Sequence, residues 1–426
     1  MKKLLEIGKD VLLVLLTLAV IVLTVLALPA RTVQQTPWLA AMLKPFASVL
    51  GMSEAELTYT QAAEPVLNAA QPLTITVKNS AGRCSYQYDF TALDSAYETL
   101  GGALGQALDT AGPAQSSTYA KLYAAMQEEG VLFCYPAEIP AAVLAAWLDA
   151  QPNADAPAAD MCLLSVQNGA VRLYLAGEAC WVCQTKLPAD TLEQLLESCK
   201  PDGSFLASED STGRFKLLAP DTLLTAEAVS VPGVTAANPV SSQLTTSLAG
   251  TLGFNPYGGA SYTDSGGTTR FTEGASTLSV SAAGLLRLYN GQRTDARFNA
   301  ASDSPGDLIE AARTLLAGLT ADTLGDARLY LRSFSQSDGG AVCSFDYVVS
   351  GILVTRADGP AATVRFDGAQ IAEATLNLRT YRLTSAQTKL LPAAQAAAIL
   401  PEGSGIVVQY ADAGGQTLEA GWKTRQ

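Results

Sequence analysis

Residues 161–187 read MCLLSVQNGAVRLYLAGEACWVCQTKL, three runs of apolar and β-favouring side chains separated by short turns. We expect strands at 161–166, 171–175 and 180–185. The first two runs are joined by Gln167-Asn168-Gly169, and an Asn-Gly pair is a strong hairpin signal. This stretch therefore predicts an antiparallel sheet.

Helical and extended patterns surround these strands. Further strands are predicted at 73–77, 83–90 and 131–135. Amphipathic, often alanine-rich patterns predict helices at 92–108, 119–128, 141–148 and 189–199. We predict an N-terminal α+β domain over residues 72–218. A linker is expected at 219–240, which holds three prolines and few charges.

The remaining residues, 241–426, predict a second domain with longer strands. The expected strands are 268–272, 277–281, 285–289, 327–334, 342–350, 362–366, 371–381, and a final hairpin of 406–410 with 417–422. The expected helices are 242–252, 307–319 and 387–400. Asp367-Gly368 is a second hairpin signal. The predicted fold class is α+β, with antiparallel sheets and flanking helices.

The N-terminus carries an uninterrupted apolar run. Residues 11–28 read VLLVLLTLAVIVLTVLAL, without a charge or a glycine. A helix of this length rises about 27 Å, close to the thickness of a bilayer core, and no A-x-A cleavage pattern follows it. We predict one N-terminal transmembrane helix that acts as an uncleaved signal anchor, with cleavage as the alternative.

Positive charges predict the orientation of this run. Lys2, Lys3 and Lys9 precede it, and a single arginine follows closely. The excess of positive charge places residues 1–10 in the cytoplasm as a short tail. The expected location is the cell membrane, crossed once, with a stalk at 29–71 and the two domains extracytoplasmic.

Small and hydroxyl side chains share one face of this predicted helix. Thr17 and Thr24 are seven residues apart and Ala27 follows three later, so the three nearly superimpose. Such side chains let helices approach closely in lipid, which makes this face a candidate binding site for a partner's transmembrane helix. The alternative is that both threonines hydrogen-bond to carbonyls of their own helix.

Composition excludes large classes of chemistry. The 426 residues contain no histidine, so a Ser-His-Asp triad or a His-liganded metal cannot be built. The net charge of −13 argues against a nucleic-acid partner. We predict no enzyme activity, catalytic residue, cofactor or metal site. Paired carboxylates leave no sequence signature, so Glu128, Glu129, Glu209 and Asp210 stay candidates for a glycan-cleaving enzyme, with solvated turns and helix ends as the simpler interpretation.

The seven cysteines are too few and too irregularly spaced for a disulfide scaffold. Their one local pattern, Cys180-Trp181-Val182-Cys183, falls within an expected strand. Side chains three apart in a strand point to opposite faces, so these two sulfurs are poorly placed to pair or to share a metal. Buried structural thiols are the expectation, and a disulfide or redox chemistry is the alternative.

Short motifs follow one another along residues 241–426. They are 252–256 (LGFNP), 262–264 (YTD), 267–273 (GTTRFTE), 278–281 (LSVS), 284–289 (GLLRLY), 345–352 (FDYVVSGI), 366–368 (FDG) and the closing Trp422. In this order, with an N-terminal anchor before them, they resemble the YycH/YycI family. The earlier region is similar to that family only in architecture.

The resemblance implies a function without catalysis. Members of the YycH/YycI family are membrane-anchored extracytoplasmic proteins of low-GC Gram-positive bacteria. They regulate the sensor histidine kinase of a two-component system that controls cell-wall homeostasis. The implied partners are such a kinase, reached partly through the transmembrane helix, and a sister YycH/YycI-like protein.

The alternative function is a surface-anchored binding module for cell-wall polymer or peptide. Such a module predicts a groove with clustered aromatic side chains. The candidates are Tyr174, Trp181, Phe254, Tyr257 and Tyr262. Their scatter along the chain equally fits core or edge positions.

Overall fold

Strands dominate the part of the chain that the computed structural model describes, which is residues 69–151, 157–225, 227–257, 260–291, 296–398 and 404–425. Strands make up 43% of the structure and helices 23%. The predicted α+β class is therefore wrong, because the fold is mostly β. Part of the additional strand lies where none was predicted, at Ser230–Ala237 within the predicted linker and at the end of the strand Thr380–Lys389.

The N-terminal part of that prediction also finds no support. The predicted transmembrane helix at 11–28, its tail and most of its stalk lie outside the described residues, as do Thr17, Thr24 and Ala27. Among the helices that the structure does describe, none is long and apolar enough to cross a membrane. The longest, Phe90–Asp109, is amphipathic and keeps Glu98 and Gln106 on its exposed side.

The first sheet has seven strands in the order β2-β1-β4-β5-β6-β7-β3, all antiparallel to their neighbours. Its strands are β1 Thr74–Asn79, β2 Gly82–Tyr86, β3 Gln115–Ser116, β4 Gly130–Pro140, β5 Ala158–Gln167, β6 Ala170–Ala176 and β7 Cys180–Pro188. The three strands predicted from residues 161–187 are confirmed. Asn168 and Gly169 form the predicted turn, with positive φ angles of 54° and 75°.

Seven helices lie in the described part of the chain. They are α1 Phe90–Asp109, α2 Tyr119–Ala125, α3 Ala141–Trp147, α4 Ala189–Glu197, α5 Ser242–Thr251, α6 Pro305–Thr320 and α7 Ala393–Ala397. Asp89 caps α1 by accepting a hydrogen bond from the Thr91 N–H at 2.9 Å. Helices α1 and α4 pack on one face of the first sheet, and α2 packs on the other.

The remaining strands follow α4 along the chain. They are β8 Phe205–Leu206, β9 Leu223–Leu224, β10 Ser230–Ala237, β11 Ser261–Thr263, β12 Thr269–Glu273, β13 Ser276–Val280, β14 Leu285–Asn290, β15 Ala327–Ser337, β16 Gly340–Val349, β17 Ile352–Arg356, β18 Ala362–Asp367, β19 Gln370–Asn377, β20 Thr380–Lys389, β21 Ile406–Asp412 and β22 Glu419–Thr424. Eleven of them form a large sheet in the order β11-β12-β13-β14-β19-β18-β16-β17-β21-β22, with β15 paired to β16. Within it only β17 and β21 are parallel.

The segment predicted as a linker, 219–240, contains paired strands. Strand β10 pairs with β20, and its Val231 and Val234 are buried in the core. Because β20 continues to Lys389, the helix predicted at 387–400 is replaced at its start by strand, and α7 is only five residues long. The described residues all belong to one compact unit. The predicted boundary between two domains stays a prediction.

Polar contacts join the first sheet to the second. Arg328 on β15 forms two hydrogen bonds with the Asp94 carboxylate on α1, both at 2.8 Å. The Tyr330 hydroxyl donates to Gln71 at 3.2 Å. A further contact joins α3 to α6, where the Trp147 indole N–H donates to the Glu310 carboxylate at 3.2 Å. The described halves therefore share an interface with charged and neutral hydrogen bonds.

Candidate functional site

The outer face of the large sheet is open where β11 to β14 meet β18 and β19. In the strand register, Tyr262 lies opposite Arg270, then Ser279 and then Arg287 in a single row. A second row places Tyr289 opposite Glu373, and Glu373 opposite Arg365. We call Tyr262, Arg270, Arg287, Tyr289 and Arg365 the arginine–tyrosine face.

The alternating sequence of these strands creates this face. Every second residue points inward, and the inward side chains Phe271, Leu278 and Leu288 are at most 4% exposed. On β14, Arg287 and Tyr289 alternate with the inward residues and point outward. Helix α6 packs against β16 and β18, and the outward side chains Arg287 and Tyr289 of β14 are exposed to solvent.

Exposure and pairing differ along the face. Tyr262 and Tyr289 are both 58% exposed, which is high for large aromatic side chains on a sheet. The Arg270 guanidinium lies 3.6 Å from the Asp264 carboxylate. Arg287 and Arg365 are exposed and have no ion-pair partner within the described residues. Two guanidiniums and two phenol rings are thus available for a partner.

The face carries positive charge in an acidic protein. Its three arginines lie beside only two carboxylates, those of Glu373 and Asp264, so the face is net positive. The whole chain, in contrast, has a net charge of −13. Hydrogen bonds from the backbone N–H groups of Thr268 and Gly266, and the neighbouring Arg270, lower the pKa of Asp264, so this carboxylate stays ionised. The net positive face favours an anionic partner.

The aromatic candidates do not form one groove. Tyr174 is buried in the first sheet and Trp181 is half-buried on β7, while Phe254 is buried beneath the Arg297 guanidinium at 5.3 Å. Tyr257 is 86% exposed and, with Tyr262, belongs to the β11 end of the large sheet. The predicted aromatic cluster is therefore absent from this set.

The carboxylate candidates mostly hold the chain together. Glu209 accepts hydrogen bonds from the Arg83 guanidinium at 2.8 and 2.9 Å, and these contacts lower its pKa against the opposing effect of burial. Asp210 accepts from the Thr212 hydroxyl and backbone in an exposed turn. Glu128 and Glu129 lie just after α2. Within the described ranges, no three acidic or cysteine side chains are grouped to hold a metal ion.

A shallow groove of about 400 Å³ lies between α2 and the β5–β6 hairpin. Its polar lining includes Lys121, Glu128, Gln167, Arg172 and Tyr174. The Gln167 side-chain amide donates to the Tyr174 hydroxyl at 3.2 Å, which fixes part of the wall. The groove is open to solvent and mixed in charge, so it suits a small polar segment better than a large surface.

The described residues form a mostly β protein with two large and two small sheets, and with an exposed arginine–tyrosine face. No family model, curated protein or solved structure that was compared with the chain matches it. The resemblance to the YycH/YycI family therefore stays a prediction from the motifs.

Proposed function

We propose that this chain is an extracytoplasmic regulatory protein that acts through protein–protein contacts. The arginine–tyrosine face is its docking surface, and an acidic surface of the partner covers it. The observation that supports this most directly is the exposure of Tyr262, Tyr289 and two arginines on one open sheet face, where the described part of the chain gives neither arginine an ion-pair partner.

The chemistry of this face suits a protein partner. Tyrosine and arginine are the residue types that most often dominate binding energy at interfaces, because each combines large contact area with hydrogen bonding. A sheet face presents these groups over an extended surface, whereas a small substrate requires a concave pocket. Local positive charge also steers an acidic partner toward the face.

The partner in this proposal is the extracytoplasmic part of a sensor histidine kinase, with a sister protein as a second partner. Both come from the resemblance of the motifs in residues 241–426 to the YycH/YycI family. Placement outside the cytoplasm rests on the apolar run 11–28 and the lysines before it. The absence of histidine from the sequence agrees with a role that needs no catalysis.

An affinity pull-down of the full-length protein from gently solubilised membranes tests the proposal. The bait is compared with an Arg287→Glu/Arg365→Glu variant, and bound proteins are identified by mass spectrometry. We expect recovery of a sensor histidine kinase with the wild-type bait and a loss of about tenfold or more with the variant, because both changes put negative charge against an acidic partner.

Arg382→Glu is the matched control, because Arg382 is an exposed arginine on β20, away from the face. It should retain the kinase. Equal recovery of the kinase with all three baits would show that the arginine–tyrosine face is not the docking surface. Recovery of no kinase by the wild-type bait would contradict the proposed function itself.

The second candidate is a binding module for cell-wall polymer or peptide. The groove with Lys121 and Arg172 favours it, because two cations beside hydrogen-bonding side chains suit an anionic or peptide segment. Sedimentation with purified cell walls tests this: retention that falls in Arg172→Ala, but not in Arg287→Glu/Arg365→Glu, would favour the module. Absence of retention would exclude wall polymer.

A further inference from the structure

We propose that the groove between α2 and the β5–β6 hairpin binds a short peptide through its free carboxylate. The groove lies on the first sheet, whereas the arginine–tyrosine face belongs to the large sheet. Its volume of about 400 Å³ is at the small end of ordinary ligand pockets, which suits a molecule of about two or three residues. The inference rests on the second candidate function, and it narrows the ligand from a wall polymer or peptide to one chemical class.

A buried core fixes the two walls of the groove. Leu122 on α2 packs with Leu163 and Tyr174 of the hairpin in one buried cluster. The Ser165 hydroxyl, which is fully buried on β5, donates to the Ala125 carbonyl at 3.0 Å and ties the end of the helix to the sheet. The groove is therefore formed before a ligand arrives, which reduces the entropy that binding costs.

Each wall of the groove carries one cation. Lys121 is exposed on α2, and Arg172 lies half-buried on β6. Neither side chain has an ion-pair partner among the residues that the structure describes. An ammonium and a guanidinium on facing walls suit a carboxylate, because its two oxygens can accept charge-assisted hydrogen bonds from both.

The rest of the lining favours a peptide carboxylate over a phosphate. Glu128 also lines the groove, so two cations and one carboxylate leave a net charge of +1, which a single negative charge balances. The Glu128 carboxylate would repel the second charge of a phosphate dianion. Gln167 and Asn168 contribute side-chain amides, which both donate and accept hydrogen bonds, as the amide groups of a peptide do.

A small side chain keeps the space between the charges open. Ala124 follows Lys121 by three residues and precedes Glu128 by four, which places it on the same side of α2 and of the turn that continues it. Ala124 is exposed, so its methyl group borders the groove without filling it. A larger side chain at this position would block the groove and leave both cations in place.

Isothermal titration calorimetry of the full-length protein tests the proposal. The probes are N-acetyl-dialanine, its C-terminal amide and inorganic phosphate. We expect the free acid to bind and the other two to bind about tenfold more weakly or less, because the amide lacks the charge that the cations hold and phosphate meets Glu128. No binding of the free acid up to about 10 mM, or equal affinity for the acid and its amide, would overturn the inference. Phosphate that binds as tightly as the acid would overturn it as well, because the site would then select only for negative charge.

Three variants place the ligand in the groove. Arg172→Ala should weaken binding of the acid by about tenfold, because it removes one charged donor. Ala124→Leu should weaken it as much by filling the groove, and circular dichroism checks that both variants are folded. Lys216→Ala, at an exposed lysine outside the groove, should bind like the wild type. Unchanged affinity in both groove variants would contradict this site. Recovery of the kinase by the full-length bait is independent of all these results, so a failure here would leave the docking proposal standing.

Discussion

Replacement of Asp160 by asparagine should stabilise the protein, with a gain that builds up between about pH 4 and pH 6 and stays at its full value above that. Asp160 lies on β5, and one of its carboxylate oxygens is buried without a hydrogen-bond partner in the described part of the chain. Burial raises the pKa of this carboxyl from 3.8 to about 6; Arg425 opposes the rise, and the Glu138 and Asp221 carboxylates add to it.

The direction of the change in stability with pH follows from proton binding to Asp160. Between about pH 4 and pH 6 the folded protein keeps a proton on Asp160 that the unfolded chain has released, so stability falls as pH rises through this window. The difference between 3.8 and about 6 corresponds to at most about 3 kcal/mol. Because the side chain is half-buried, water screens part of this cost, and we expect Asp160→Asn to gain about 1 to 3 kcal/mol at pH 8.

Urea unfolding followed by tryptophan fluorescence at pH 4, 6 and 8 measures the effect. The gain in free energy of unfolding should be close to zero at pH 4 and should reach its full value at pH 8. Asp338→Asn, in the exposed turn between β15 and β16, removes the same charge and should show no such dependence. A gain that is equal at all three pH values, or a loss at pH 8, would refute the burial argument.

Two further substitutions test the charged contacts within the fold. Arg328→Met should lower the free energy of unfolding by about 1 to 2 kcal/mol, because it removes both hydrogen bonds to the partly exposed Asp94; an unchanged urea midpoint would contradict this. Asp412→Asn should cost more, about 3 to 5 kcal/mol, because the Asp412 side chain is 1% exposed and its charge neutralises the buried guanidiniums of Arg356 and Arg379. Thermal unfolding monitored by circular dichroism checks the second prediction, and a fall in Tm no larger than that of Arg328→Met would argue against it.

Local turn chemistry made parts of the fold predictable. Asn168-Gly169 forms the expected two-residue hairpin turn, whereas the second turn is Gly368-Ala369, because Asp367 ends β18 and pairs with Gln370. Gly169 and Gly368 both have positive φ angles, of 75° and 56°, which glycine adopts readily whatever the rest of the chain does. The strands on either side then follow from their alternating patterns.

Long-range pairing was not predictable in the same way. Thr235 on β10 lies opposite Arg382 on β20, 147 residues away, and no local pattern marks such a partner. Without that pairing, 219–240 resembles a linker and 387–400 resembles a helix. This is why the strand Ser230–Ala237 and the end of the strand Thr380–Lys389 were missed.

The candidate site was predicted only in part. Tyr262 was singled out as an aromatic residue, but Tyr289 and the arginines were not, because outward polar residues occur on every half-exposed strand. Only the register places Arg270 and Arg287 in one row with Tyr262. The alternation in 285–290, LLRLYN, was the one available signal that Tyr289 faces solvent.

Site-specific photocrosslinking tests the central claim most directly. A benzophenone amino acid is placed at Tyr289 of the full-length protein in cells, and at the exposed Leu383 on β20 as the control. We expect an adduct with a sensor histidine kinase at position 289, and little or none at 383. No adduct at 289, or equal yields at both positions, would contradict the arginine–tyrosine face as the docking surface.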